Sequence, residues 1–278
     1  MKAFVAGWPV SHSLSPFLHG FWLQRHAIAG SYEAVACEPD GFRGFLRNFP
    51  SNGWIGGNIT IPHKEAALLA CDQVDETARA IGAVNTVWLQ NGFIHGTNTD
   101  SHGFSANLDQ HAPRWKSGRT AVVLGAGGAS RAVIHALATN GYNNISLVNR
   151  TVEKAEKIAR EFGSHIVPRQ WDDLGKLMQD ADIVVNTTSL GMKGQPELEI
   201  DLNSVKTGSI VTDIVYTPLM TPFLKAAAKA GLETVDGLGM LLHQAVPGFE
   251  KWFGIRPQVD AELRDHLLKI LAAREAGR

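Results

Sequence analysis

The segment Asn58-Ile59-Thr60-Ile61-Pro62-His63-Lys64 sets an amide, a hydroxyl and a primary amine close together. Read as a strand over Gly56–Ile61, it puts Asn58 and Thr60 on one face, with Lys64 just beyond the carboxyl end. Open α/β sheets bind ligands at that edge, where an amine can move a proton. The plainer alternative for Lys64 is a solvated surface charge. His12-Ser13-Leu14-Ser15-Pro16 carries two hydroxyls two residues apart, ahead of a helix read from Pro16 with Ser15 as N-cap. Hydroxyls and helix N–H groups together can hold a carboxylate. An ordinary capping arrangement uses the same residues. Gly82-Ala83-Val84-Asn85-Thr86 and Gly96-Thr97-Asn98-Thr99-Asp100 add an amide and a carboxylate at loop positions, where Asn and Asp also occur for backbone reasons.

A second set of residues lies in Gly125-Ala126-Gly127-Gly128-Ala129-Ser130, which follows the apolar run Thr120–Leu124 and precedes a helix. Gly125 suits a tight turn, Gly127 allows close approach of a pyrophosphate, and the helix N-terminus favours the anion. Ser130 occupies the third glycine position, so the fingerprint is a variant. An NAD-binding site of this type has an acidic residue about 20–25 residues further on, for the ribose 2′-hydroxyl. Here the chain reads Asn149-Arg150-Thr151, followed by Lys154. A guanidinium suits a 2′-phosphate through charge-assisted, often bidentate hydrogen bonds, which favours NADP.

Composition narrows the classes. Apolar residues form 44% and charged residues 19% of the 278 positions, a globular balance that argues against disorder. The net charge of −1 gives no reason to expect nucleic acid or an anionic membrane as partner. The two cysteines, Cys37 and Cys71, suit a reducing compartment and make neither a disulfide framework nor a metal cluster. His19, His63, His95, His102 and His243 show no metal-ligand spacing, so no metal is expected. No segment approaches the roughly 18 uninterrupted apolar residues of a membrane span, and the N-terminal apolar run is too short for a signal peptide. The expected location is the cytoplasm.

The elements that must position these residues alternate in the manner of an α/β protein. Strands are read at Ala3–Gly7, Ser31–Ala36, Gly56–Ile61 and Thr86–Leu89, with helices at Gly41–Phe49, His63–Ala70 and Asp75–Ile81. A second βα series follows: strands Thr120–Leu124, Ile145–Val148, Asp182–Asn186 and Ser209–Asp213, and a helix at Arg131–Asn140. Continuous apolar runs of this kind mark strands buried on both faces of a parallel sheet. The expectation is an α/β fold of two domains. Residues 1–101 form the first, completed by helices within 239–278, and residues 102–238 form a Rossmann-type doubly wound sheet. The polar stretch Asp100–Lys116, punctuated by Pro113, is read as the boundary.

Taken in order, these stretches resemble the shikimate dehydrogenase family from the first strand to the final helices. The resemblance rests on Gly7-Trp8-Pro9 with His12–Pro16, on Asn58–Lys64, Gly82–Thr86 and Asn98–Asp100, and on Gly125–Ser130 and Asn149–Thr151. Asp236-Gly237-Leu238-Gly239-Met240-Leu241-Leu242-His243-Gln244 completes it. It implies a first domain that binds shikimate or 3-dehydroshikimate and a second that binds NADP. By the same resemblance, Ser13, Ser15 and Tyr216 hold the substrate carboxylate, while Thr60, Asn85, Asp100 and Gln244 contact ring hydroxyls. Lys64 and Asp100 become the catalytic pair. Gly125, Ala126, Gly127, Gly128, Ala129, Asn149, Arg150, Thr151 and Lys154 take the cofactor, with Ile214 and Gly237 beside the nicotinamide. Lys154 stands where the family often has arginine, and His63 fills a variable slot.

The implied activity is reversible, NADPH-dependent reduction of 3-dehydroshikimate to shikimate in chorismate and aromatic amino acid biosynthesis. Oxidising a secondary alcohol needs a group to take the hydroxyl proton while hydride leaves the carbon. Lys64 is read as the proton carrier and Asp100 as its orienter. Two rivals remain open: a quinate/shikimate dehydrogenase of the same superfamily, and a non-catalytic NADP-binding sensor. Ser13 and Arg150 favour shikimate and NADP over the first rival, and the presence of both Lys64 and Asp100 argues against the second. A homodimer is an allowed assembly.

Overall fold

The structure is a computed structural model that describes residues 1–276. The chain divides into two compact units, one formed by Met1–Asp100 together with the chain from Leu242 onward, the other by Ser101–Leu241.

In the first unit a six-stranded sheet contains β1 (Lys2–Gly7), β2 (Ser31–Ala36), β3 (Trp54–Ile59), β4 (Gln73–Val74), β5 (Thr86–Gln90) and β6 (Phe93–Thr97), in the order β2-β1-β3-β5-β6-β4. β1 runs parallel to β2 and β3, whereas β5 is antiparallel to β3 and to β6. The sheet is therefore mixed, and β6 is a strand that the apolar pattern does not announce. Its signal is Asn91-Gly92, both at positive φ (53° and 80°), the two-residue turn that joins antiparallel strands. Phe4 meets Phe49 and Trp54 edge-on in one core cluster under this sheet. The C-terminal helices cover part of this unit: the Trp252 indole donates to Val87 O at 2.9 Å, and Phe249 packs edge-on against Trp22. The helix Ser15–Arg25 starts one residue earlier than expected. Leu14 is its N-cap and no side chain caps it, so Ser15 is the first helical residue and not the cap.

In the second unit six strands are all parallel: β7 (Thr120–Leu124), β8 (Asn144–Val148), β9 (Ile166–Arg169), β10 (Ile183–Asn186), β11 (Ile210–Asp213) and β12 (Glu233–Val235). Their order, β12-β11-β10-β7-β8-β9, is that of a doubly wound dinucleotide-binding sheet, with its topological switch point between β7 and β10. Both faces of β7 are buried, Ala121 and Val123 in one apolar cluster and Val122 and Leu124 in the other. The strands that the sequence pattern overlooks, β9 and β12, are the two edges. β9 contains Pro168, which is tolerated where one side of a strand needs no ladder bond, and β12 is only three residues long. The stretch Asp100–Lys116 is not an open linker: it holds the helix Asp100–His111 and a short 3-10 turn, Pro113–Ser117.

Each unit buries one polar group whose titration opposes the other's. His19 is fully buried, its ring stacked on Tyr32 at 4.0 Å, and burial pushes its pKa down from 6.5 to about 3. The unfolded chain therefore takes up a proton below about 6.5 that the native unit refuses, so stability is lost as pH falls from there toward 3. Asp213 is also fully buried, and burial pushes its pKa up from 3.8 to about 6 in spite of three hydrogen-bond donors. Here the native state binds the proton first, and stability rises as pH falls from about 6 toward 3.8. Amide hydrogen exchange, corrected for intrinsic rate, should show helix Ser15–Arg25 less protected at pH 5 than at pH 7. Protection of β11 should hold or increase over the same interval. Equal losses in both units would contradict these two assignments.

Candidate active site

In the first unit, strand ends and helix starts gather the polar residues singled out above. Lys64 opens the helix Lys64–Ala70, and its Nζ lies 2.6 Å from Asp100 Oδ2. Both side chains are mostly buried, at 21% and 13% exposure, so the ion pair is partly shielded from water while its polar ends remain reachable. Asn85, between Val84 and β5, donates from Nδ2 to Asp100 Oδ1 at 2.8 Å and to Thr99 Oγ1 at 3.0 Å. Its Oδ1 accepts from Thr99 N at 2.8 Å, and Gln244 Oε1 stands 3.4 Å from Nδ2. Asn98 fixes the start of the Asp100 helix: its Oδ1 accepts from Asp100 N at 3.0 Å and its Nδ2 donates to Ala83 O at 3.0 Å. Just before Lys64, His63 stacks on Phe42 at 4.3 Å, with Nε2 2.7 Å from Cys37 O. The backbone that aims Lys64 is thereby anchored.

Three residues to which the resemblance gives no role, Tyr32, Asn58 and Thr86, extend this network. Tyr32 donates from its phenol to Asn58 Oδ1 at 2.6 Å, and Asn58 Nδ2 reaches Thr86 Oγ1 at 3.0 Å and Asn85 O at 3.1 Å. Thr86 Oγ1 donates to Asn85 Oδ1 at 2.9 Å, closing an unbroken buried chain from Tyr32 to Asp100 and Lys64. Burial pushes the Tyr32 phenol well up, so it remains a donor, and the buried Ser15 hydroxyl adjoins it. Asn58 is visible in the sequence as a polar residue on a strand face, whereas a tyrosine in an apolar strand gives no sign of its partner. Ser13 Oγ accepts from Ser15 N at 3.2 Å, and Arg274 donates to His12 O at 2.7 Å, which steadies the same loop from the C-terminal helix. Thr60 is half-buried beyond β3, and among the described residues no hydrogen bond joins its hydroxyl to the network.

The second unit assembles the glycine turn at the carboxyl end of β7. Gly125 has φ of 99°, and a Cβ there would come within 2.8 Å of Thr188 Cγ2, so a side chain is excluded on both counts. Gly127 and Gly128, by contrast, face open space. The helix Gly128–Thr139 begins there with no side chain capping it, leaving backbone N–H groups available to an anion. Ser130 is buried and its hydroxyl turns back to Gly127 O at 2.7 Å, which shows how serine fits the third glycine position. Ala126 N donates to Asn149 Oδ1 at 3.2 Å, and Asn149 Nδ2 donates to Thr151 O at 2.7 Å. Asn149 thus ties the turn to the segment carrying Arg150, Thr151 and Lys154, all three exposed at the start of the helix Val152–Phe162. Among the described residues neither Arg150 nor Lys154 forms an ion pair, so both charges are free to meet a phosphate. Ile214 and Gly237 lie together, since a Cβ on Gly237 would meet the Ile214 carbonyl. Tyr216 is half-buried in the loop after β11. An open glycine cradle, an uncapped helix start and two unpaired cations are the features NADP requires. Among the described residues, no group of three or more His, Cys, Asp or Glu is placed to hold a metal ion, and no helix is long and apolar enough to cross a membrane.

Residues 5–87 match the shikimate dehydrogenase substrate binding domain, 108–213 match shikimate / quinate 5-dehydrogenase, and 237–261 match the shikimate 5'-dehydrogenase C-terminal domain. The shikimate dehydrogenase (NADP(+)) of Brucella abortus (strain S19) is 56% identical over 274 residues, which is 98% of this chain and 95% of that protein. The shikimate 5-dehydrogenase of Thermus thermophilus, solved with NADP(H) and shikimate, is 37% identical with a TM-score of 0.87, covering 97% of this chain and 99% of that one. The quinate dehydrogenase of Corynebacterium glutamicum, solved with NAD, is 30% identical with a TM-score of 0.90, at 97% and 99% coverage. Backbone similarity alone therefore does not separate these activities. The chain belongs to the shikimate dehydrogenase family.

Proposed function

We propose that the chain catalyses the reversible, NADPH-dependent reduction of 3-dehydroshikimate to shikimate, as an oxidoreductase acting on a CH–OH group. The observation that carries this reading is the Lys64–Asp100 pair, 2.6 Å apart, with Asn85 bonded to the second oxygen of the same carboxylate. In this reading residues 1–101 and 239–278 bind the substrate and residues 102–238 bind NADP. Ser13, Ser15 and Tyr216 hold the carboxylate, and Thr60, Asn85, Asp100 and Gln244 hold the ring hydroxyls. Asn149, Arg150, Thr151 and Lys154 hold the adenosine phosphate, Gly125–Ala129 the pyrophosphate, and Ile214 and Gly237 flank the nicotinamide.

When bound, the cofactor supplies the hydride donor or acceptor. In the oxidative direction Lys64 Nζ, as the neutral amine, takes the hydroxyl proton as the C–H hydride departs and the C=O bond forms; in reduction Nζ, as the ammonium, gives that proton to the carbonyl oxygen. Asp100 keeps Nζ aimed, and Asn85 keeps Asp100 from rotating. The same reading places the protein in the cytoplasm and allows a homodimer.

The test is the change in near-ultraviolet absorbance of reduced nicotinamide with NADP and shikimate, then with quinate, then with NAD in place of NADP. Turnover of shikimate with NADP is the expected result. A preference for quinate, or no turnover despite NADP binding, would replace this reading with one of its rivals. Within it, Ser13→Ala should raise the shikimate KM about tenfold to a hundredfold with NADP binding intact, the effect of losing a hydrogen bond to a charged group. If thermal unfolding shifts strongly while KM stays put, Ser13 acts only on the backbone of Ser15.

A further inference from the structure

The acid at the end of β11 does work that neither the core nor the proposed chemistry requires. Asp213 is fully buried, and among the described residues it has no ion-pair partner. A carboxylate in that position is costly unless hydrogen bonds replace its water, and an apolar residue of similar volume would serve the core at least as well. Three donors satisfy it: Asn186 Nδ2 at 3.0 Å, Val215 N at 3.0 Å and Thr221 Oγ1 at 2.8 Å. Burial pushes its pKa up to about 6, so at neutral pH it is ionised and acts purely as an acceptor.

Each donor belongs to a different segment at the carboxyl edge of the parallel sheet. Val215 adjoins Ile214, and Thr221 caps the helix Pro222–Lys229 by accepting from Leu224 N at 3.3 Å. Asn186 ends β10, and its Oδ1 accepts from Thr188 N at 3.0 Å and Thr188 Oγ1 at 2.7 Å. Its backbone carbonyl accepts from Ile214 N at 3.1 Å. Thr188 is the residue that a Cβ on Gly125 would strike, and the Ile214 carbonyl is what a Cβ on Gly237 would strike. One carboxylate thus stands behind the glycine turn, the segment after β10 and the loop carrying Ile214 and Tyr216, without itself reaching the surface.

We propose that Asp213 is a positioning residue that sets the glycine turn and the Ile214–Tyr216 loop in register for NADP. The proposal rests on the reading of this unit as NADP-binding. Its test uses the full chain and NADP alone, with affinity measured by calorimetry and loop order by amide hydrogen exchange, so no turnover is needed. Asp213→Ala should weaken NADP binding about tenfold or more and speed exchange across residues 187–191 and 214–217. Asp213→Asn, which keeps an acceptor for Val215 N, should recover most of the affinity. A variant that binds NADP within about twofold of wild type, whatever its unfolding temperature, overturns the proposal, because a role in stability alone leaves affinity untouched. Should Asp213→Ala not fold, Asn186→Ala decides: it leaves the carboxylate in place but frees Thr188, and undiminished NADP affinity is again fatal. Wild type that binds no NADP defeats the functional reading itself, which is seen before any variant is made.

Discussion

Replacing Lys64 with alanine should lower kcat by about 10²–10⁴, the range for loss of a general acid–base group, while the shikimate KM should change far less. The separation between the two constants follows from geometry. Lys64 contributes one ammonium to a site whose remaining polar groups, Asn85, Asp100 and Gln244, are held by one another and by Thr99, Asn98 and Ala83. Removing the lysine leaves Asp100 bonded to Asn85, so the substrate cradle keeps its shape and the proton carrier is lost. Steady-state kinetics in both directions, with substrate binding measured separately, checks this. A variant that keeps more than about a third of wild-type kcat takes Lys64 out of the mechanism.

Arg150→Asp should reduce kcat/KM for NADP by at least about tenfold and leave NAD unchanged or improved. The arginine stands exposed directly after β8, immediately before the helix Val152–Phe162, with Lys154 exposed on that helix's first turn. Losing a charge-assisted hydrogen bond to the 2′-phosphate costs about 1.5–3 kcal/mol, and this loss applies only to NADP. The introduced carboxylate adds repulsion against the phosphate and an acceptor for the 2′-hydroxyl, so every contribution moves preference toward NAD. Because Asn149 reaches the glycine turn through its own side chain, the pyrophosphate cradle should survive the change. The measurement is kcat/KM with each cofactor at saturating shikimate, in wild type and variant. An unchanged NADP/NAD ratio would show that Arg150 does not read the phosphate.

The sequence by itself determined whatever depends on periodicity and on local turn chemistry. An apolar run such as Thr120–Leu124 is a strand buried on both faces because no polar residue interrupts it, and the glycine turn after it follows from the positive φ that Gly125 must adopt. The absence of an acid after β8 is equally local, and so is the polarity of the strand face carrying Asn58. A short-range signal also marks β6, an element outside the apolar pattern, through the Asn91-Gly92 hairpin turn. The two edge strands β9 and β12 carry no such signal, since a short strand containing proline, or one of three residues, has no period to detect.

Only the tertiary structure decided which polar group meets which. Lys64 and Asp100 are 36 residues apart, and Asn85 and Gln244 are 159 apart. Residue type says that each can donate or accept, but the partner is chosen when each unit packs and water is removed. The same holds for Tyr32 against Asn58 and for Asp213 at the centre of three segments. Pattern determines which side of an element faces inward. What waits there to satisfy a buried oxygen is set by chain topology, because an unmet buried polar group costs more than any local propensity can offset.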